Sequence, residues 1–170
     1  MLFRSGPAFT PAQAAEFVAK MEIGSWEVWL QPVMTQVGGG VAFHESLARF
    51  GNGRGHLVSR PEFFMTGRAD GLLERFDRMM LQRSLQILES HPDVRLSVNI
   101  SLETFLSDGF PASVLALIHE VPESSGRIIL EIAPHCLTAP AIDVRSRLEA
   151  LAAAGVAVAL DDFGSGICRL

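Results

Sequence analysis

The second half of the chain alternates between two sequence patterns, and this alternation limits the possible folds more than any other feature. From Arg95 onward, short apolar runs rich in β-branched residues alternate with segments whose apolar residues recur at helical spacing. Because strands joined through helices run parallel, the pattern predicts an α/β protein with an open parallel sheet or a barrel. The predicted segments are strands at 95–100, 127–132 and 155–160, a turn at 103–105, and helices at 111–119 and 141–154.

The first half predicts an antiparallel pair of strands instead. Strands are expected at 26–34 and 41–50, and the glycines Gly38 to Gly40 between them are typical of a hairpin turn. The rest of this half is predicted to be mainly helical, apart from one glycine-rich loop. The predicted segments are a helix that opens at Thr10 and ends at Gly24, a loop at 51–59, and helices at 61–67 and 72–88.

Composition and charge exclude several classes of protein. With 170 residues, 48% of them hydrophobic and 19% charged, the chain is expected to form one globular domain over 1–170. No apolar run approaches the ~20 residues of a membrane span, and no secretory signal is evident. Cys136 and Cys168 match no zinc spacing, so two reduced thiols in a cytoplasmic protein are expected. The net charge of -5 argues against non-specific nucleic-acid binding.

Polar residues recur at or near the carboxyl ends of the predicted strands. Each has an ordinary structural interpretation: Glu131 could pair with a basic residue, Asn99 could bond to backbone groups, and Glu45 could face solvent. An aspartate after the last strand could cap the next helix. Because the carboxyl ends of barrel strands gather on one face, the recurrence favours a shared site for Mg²⁺ or Mn²⁺, which prefer oxygen ligands. The residues are Glu45 with Arg49, Asn99, Glu131, and Asp161 with Asp162.

The same segments resemble the EAL domain, a family of bacterial phosphodiesterases that act on cyclic di-GMP. The resemblance covers nearly the whole chain in the family's order. Ser46 replaces the alanine of the name-giving triplet, Pro134 replaces the second acid of the family's "LEITE" motif, and Asp70 stands where glutamate is usual. The matching motifs are Leu30-Gln31-Pro32-Val33, Glu45-Ser46-Leu47-Ala48-Arg49, Ser97-Val98-Asn99-Ile100-Ser101, Leu130-Glu131-Ile132 and Asp161-Asp162-Phe163-Gly164-Ser165-Gly166.

This resemblance implies a fold and a set of site residues. The fold would be an incomplete (β/α)8 TIM-type barrel of the EAL family, about the first five strands, with the first strand antiparallel. Arg49 would hold a phosphate of cyclic di-GMP, with Gln31 and Leu47 lining the same pocket. Two cations would activate a water and neutralise the phosphate as the phosphodiester opens. The implied ligands of the first Mg²⁺ or Mn²⁺ are Glu45, Asn99, Glu131 and Asp161, and Asp162 would serve the second.

The family's catalytic lysine, its following loop acid and the segment that closes its guanine pocket have no counterpart in the sequence. We therefore expect this chain to be catalytically inactive and to act in signalling through self-association or protein binding. One alternative is a metal-dependent cyclic di-GMP phosphodiesterase that is part of, or completed by, a longer chain. A second alternative is a sensor that binds cyclic di-GMP without cleaving it. An open barrel edge would be covered by a second copy or by a protein partner.

Overall fold

The structure is a computed structural model that describes residues 19–21, 24, 26–51, 57–58, 71–133 and 144–160. It begins with a hairpin in which β1, Trp26–Met34, pairs antiparallel with β2, Val41–Gly51. Gly38 and Gly39 in the turn have φ angles of 92° and 67°, which residues with side chains rarely adopt. The predicted antiparallel start and its glycine turn are therefore confirmed.

Parallel strands continue the sheet from β2. The further strands are a two-residue β3, Leu57–Val58, followed by β4, Leu96–Ile100, β5, Ile128–Ile132, and β6, Ala157–Leu160. Strands β2, β4, β5 and β6 are parallel neighbours in that order, and β3 pairs antiparallel with the end of β2. The prediction of a loop at 51–59 therefore missed β3, because a strand of two residues is too short to produce a periodic pattern.

Helices connect the parallel strands, as predicted. They are α1, Leu72–Ser90, α2, Leu102–Leu106, α3, Ala112–Glu120, a 3₁₀ turn at Pro122–Ser124, and α4, Val144–Ala153. The predicted turn at 103–105 is in fact the short helix α2, whose first turn Ser101 caps by accepting a hydrogen bond from Thr104 N. Residues 19–21 are helical. The rest of the predicted first helix and the predicted helix at 61–67 lie outside the described residues.

The hydrophobic core lies between the helices and one side of the sheet. Helix α1 contributes a stripe of buried apolar residues at helical spacing, among them Phe76, Met80 and Leu88. Each fully buried side chain of this size stabilises the fold by about 1.5–3 kcal/mol relative to the exposed state. On the sheet, the six residues of β4 and β5 that belong to this cluster are at most 5% exposed: Leu96, Val98, Ile100, Ile128, Leu130 and Ile132. This packing fixes which side of each strand remains for polar side chains.

None of the described helices is long and apolar enough to cross a lipid bilayer.

Candidate functional site at the strand ends

The polar residues at the strand ends lie on the side of the sheet opposite the hydrophobic core. Asn99 on β4 is paired with Glu131 on β5, and Glu45 on β2 is paired with Ser97 on β4. Side chains of paired residues point to the same side of a sheet, and residues two apart along a strand share that side. Glu45, Asn99 and Glu131 therefore form one surface across three neighbouring strands, which we call the strand-end face.

A direct hydrogen bond joins two of these residues. Asn99 Nδ2 donates to Glu45 Oε1 at 2.9 Å, and the two residues are 54 positions apart in the sequence. The bond uses the nitrogen of the amide, so the oxygen Oδ1 is the atom that Asn99 can offer to a cation. Two carboxylates and an amide oxygen on one surface are the donor chemistry that Mg²⁺ and Mn²⁺ prefer. The donor types of these three residues are therefore those that a divalent cation would use.

Two of the expected ligands, Asp161 and Asp162, lie outside the described residues. They follow Leu160, the last residue of β6, which is paired with Ile132 at the end of β5. Within the described ranges, no group of three or more histidines, cysteines, aspartates or glutamates could hold a metal ion. The described part of the candidate site thus consists of Glu45, Asn99 and Glu131.

The residues expected to bind cyclic di-GMP extend this surface across the hairpin. Gln31 on β1 is paired with Glu45, and Leu47 and Arg49 follow Glu45 at alternate positions of β2. The β1 partners of Leu47 and Arg49 are Trp29 and Glu27. By strand alternation, Gln31, Leu47 and Arg49 share the side of the sheet that carries Glu45.

Trp29 is a residue of this surface that the sequence analysis did not single out. The Arg49 guanidinium carbon lies 5.7 Å from the centroid of the Trp29 ring, a distance typical of a cation–π contact. Trp29 Nε1 donates to Glu27 Oε2 at 2.9 Å, and Trp29 is 50% exposed. Trp29 could have been predicted from the sequence, because it lies two residues from Gln31 and therefore on the same side of β1.

Comparison with known proteins identifies the family. The sequence profile of the EAL domain matches residues 15–170. The chain belongs to the EAL domain family. The cyclic di-GMP phosphodiesterase PdeL of Escherichia coli K12 is 24% identical over 151 residues, which are 86% of this chain and 42% of PdeL. The probable cyclic di-GMP phosphodiesterase PdeA of the same organism is 29% identical over 151 residues, which are 86% of this chain and 20% of PdeA. The chain thus spans less than half of the length of these curated relatives.

Solved EAL structures share the fold. The PaMucR phosphodiesterase in complex with c-di-GMP matches with a TM-score of 0.81 and 22% identity, over 92% of this chain and 65% of that one. The S helix-GGDEF-EAL portion of LapD from Vibrio cholerae matches with a TM-score of 0.82 and 16% identity, over 98% of this chain and 41% of that one. These matches confirm the predicted fold class, a part of the EAL-type (β/α)8 barrel with an antiparallel first strand.

Proposed function

We propose that the strand-end face binds a divalent cation, Mg²⁺ or Mn²⁺, and through it the phosphodiester of cyclic di-GMP. The observation that carries the proposal is the 2.9 Å hydrogen bond from Asn99 to Glu45, beside Glu131 on the adjacent strand. Carboxylate and amide oxygens on one surface are the ligands that these cations prefer. The names of the related phosphodiesterases and of the PaMucR complex supply the ligand class.

Each residue has a proposed role. Glu45, Asn99 and Glu131 would hold the first cation, with Asp161 completing its shell and Asp162 serving a second cation. Arg49 would pair with a phosphate oxygen, its guanidinium held by Trp29, while Gln31 and Leu47 line the adjoining pocket. When bound, the cations would neutralise the phosphate and lower the pKa of a bound water.

We further propose that these 170 residues bind cyclic di-GMP but do not hydrolyse it. Lys20 is the only lysine in the sequence, and it lies in the helical segment before β1, well ahead of the strand-end residues in the chain. The lysine that the EAL resemblance assigns to catalysis belongs to a later strand, so no residue of this chain occupies that place. The activity would then belong to a longer protein that supplies the missing groups.

Self-association is a second candidate function, and exposed apolar residues on the hairpin favour it. In the described sheet, β1 is an end strand that pairs with β2. An end strand has unpaired backbone groups on its outer side, which a second copy can use for pairing. The large exposed apolar residues on or beside this strand are Trp29, Leu30, Met34, Val37 and Val41. Sedimentation velocity over a range of protein concentrations tests this candidate, since a concentration-independent monomer contradicts it.

Calorimetric titration with cyclic di-GMP, in the presence and absence of Mn²⁺, tests the principal proposal. We expect binding that depends on the cation, and a large loss of affinity in Glu131→Gln and in Arg49→Ala. Glu149→Gln is the matched control, because Glu149 lies on α4 in an exposed pair with Arg145 and should bind like the wild type. Binding that ignores the cation, or that survives Glu131→Gln unchanged, would contradict the proposed site.

Chromatographic analysis of the same samples tests the proposed absence of hydrolysis. We expect cyclic di-GMP to remain intact over hours with Mg²⁺ or Mn²⁺. Formation of linear dinucleotide by the wild type but not by Glu131→Gln would show that the 170 residues are a complete enzyme.

A further inference from the structure

We infer that Asp77, a buried carboxylate on α1, is a positioning residue that sets the direction of Asn99 in the proposed cation site. The inference rests on the proposed function of the strand-end face. Asp77 acts on the backbone where β4 ends and α2 begins.

The contacts of Asp77 meet at this junction. Its Oδ2 atom accepts one hydrogen bond from Ser101 N at 2.8 Å and another from Thr104 Oγ1 at 2.6 Å. Ser101 follows Asn99 by two residues, and Asp77 is 1% exposed. The carboxylate is thus in a water-excluded place where hydrogen bonds to a charged group are strong and their loss is costly.

A second carboxylate ties the same junction to the start of α1. Glu103 Oε1 accepts a hydrogen bond from Gly71 N at 3.2 Å. Ile100, between Asn99 and Ser101, is 5% exposed in the core. With Ile100 packed on one side and Ser101 N held by Asp77, the backbone around Asn99 has little freedom to turn. The Asn99 amide is therefore held towards Glu45.

Capping of α2 alone does not account for a buried charge at this position. Ser101 already caps the helix, since its Oγ accepts a hydrogen bond from Thr104 N at 3.2 Å. Burying a carboxylate costs free energy that a neutral side chain would avoid. A small cavity of about 30 Å³ also lies beside Asp77 and Thr104. Shortening the Asp77 side chain would enlarge this space and let Thr104 and the end of β4 move into it.

Nuclear magnetic resonance of the Asn99 side-chain amide tests the inference without any metal. Asn52 and Asn99 are the only asparagines in the sequence, so an Asn99→Ala variant assigns the signal. We expect Asp77→Ala to shift the Asn99 amide protons towards the values of a solvated asparagine. Asp77→Asn should restore most of the wild-type position, because an amide oxygen can accept the same two hydrogen bonds. Thr104→Val, which removes one of the two donors, should give an intermediate shift.

Mn²⁺ affinity, measured on folded protein by electron paramagnetic resonance, provides the second readout. Asp77→Ala should lower the affinity about tenfold, as loss of outer residues around metal ligands commonly does. Leu88→Ala is the control for lost stability, because Leu88 is fully buried at the far end of α1 and should leave the affinity unchanged.

The outcomes separate this inference from the proposed function. If the wild type binds no Mn²⁺, the proposed function fails, and the metal-free Asn99 signal still decides whether Asp77 positions it. If the wild type binds Mn²⁺ and the Asp77 and Thr104 variants keep both the Asn99 signal and the affinity, the inference is overturned. An equal loss of affinity in Leu88→Ala would overturn it as well, since the effect would then follow general stability.

Discussion

At their carboxyl ends, strands β4 and β5 carry apolar side chains on one side and polar side chains on the other. On the helix side, Val98 and Leu130 are fully buried in the hydrophobic core. On the other side, Asn99 and Glu131 are half-buried, and Asn99 is hydrogen bonded to the hairpin residue Glu45. Strand alternation allows this division, because neighbouring residues point to opposite sides. One short strand therefore contributes to the hydrophobic core with one side and to the candidate site with the other.

The two sides are also held by different forces. Burial of large apolar side chains stabilises the helix side. The strand-end face depends on a few directed contacts. These are notably the hydrogen bond from Asn99 to Glu45 and the hydrogen bond from Ser101 N, just after β4, to Asp77. We therefore expect substitutions on the helix side to change stability and substitutions on the strand-end face to change binding.

The largest effect on stability is expected from Leu130→Ala, on the helix side of β5. Leu130 is 0% exposed, and removing a buried leucine leaves a cavity that costs about 2–5 kcal/mol of unfolding free energy. Urea denaturation followed by circular dichroism measures the change. Leu160→Ala, at the partly exposed end of β6, is the control and should cost much less. Similar losses in both variants would mean that the core does not lie where the structure puts it.

A smaller loss of stability is expected from Arg147→Ala on α4. Arg147 Nη1 donates to three backbone carbonyls near the end of α2: Phe105 O at 2.9 Å, Ser107 O at 2.9 Å and Phe110 O at 2.8 Å. Hydrogen bonds to a charged donor contribute about 1.5–3 kcal/mol, and we expect a loss in that range. Arg145→Ala on the same helix removes only an exposed ion pair and should cost less than about 1 kcal/mol. Equal losses of stability in the two variants would contradict the stabilising role of the Arg147 hydrogen bonds.

On the strand-end face, Asn99 is the position where a substitution should change cation binding most. Asn99→Ala removes a proposed ligand and the hydrogen bond to Glu45, so Mn²⁺ affinity should fall at least about tenfold, or ~1.4 kcal/mol. Asn99→Asp keeps an oxygen ligand but adds a like charge beside Glu45. It should retain cation binding and lower the melting temperature of the metal-free protein. A drop in binding for Asn99→Asp as large as for Asn99→Ala would contradict the role of the amide oxygen.

The smallest effect is expected from Ser97→Ala, one alternate position before Asn99. Ser97 is 0% exposed, and its hydroxyl has no hydrogen-bond partner in the part of the chain that the structure describes. Removing it should change the unfolding free energy by less than about 1 kcal/mol, in either direction. Urea denaturation measures this as well. A loss of several kcal/mol would show that the lower part of the strand-end face contains a polar contact essential to the fold.

Much of the fold followed from the sequence because its signals are local. Short apolar runs with a polar residue near the end, such as Asn99 and Glu131, predicted the strands and the places of the polar side chains. The hairpin followed from Gly38 and Gly39, whose positive φ angles explain the choice of glycine. The short elements β3 and α2 did not follow, since neither is long enough to show a period.

The site was only partly predictable, for a different physical reason. The expected topology predicted that Glu45, Asn99 and Glu131 would share one surface. Asn99 and Glu131 lie near the carboxyl ends of β4 and β5, whereas Glu45 lies in the middle of β2. Asp77 offered no such signal, because its partners lie 24 and 27 residues away and its position in α1 reads as one polar residue beside an apolar stripe. Residues that act through a backbone contact become visible only when the two segments are seen together.

Mn²⁺ titration of ¹⁵N-labelled protein, followed by nuclear magnetic resonance, would show whether the strand-end face holds a divalent cation. Bound Mn²⁺ broadens the signals of nearby nuclei, and more strongly the closer they lie. If the cation binds there, the broadening should be saturable, strongest at the Asn99 side-chain amide, weaker towards the Glu120 end of α3, and reversed by excess Mg²⁺. Broadening that is absent, or that centres on another part of the molecule, would contradict the proposed cation site.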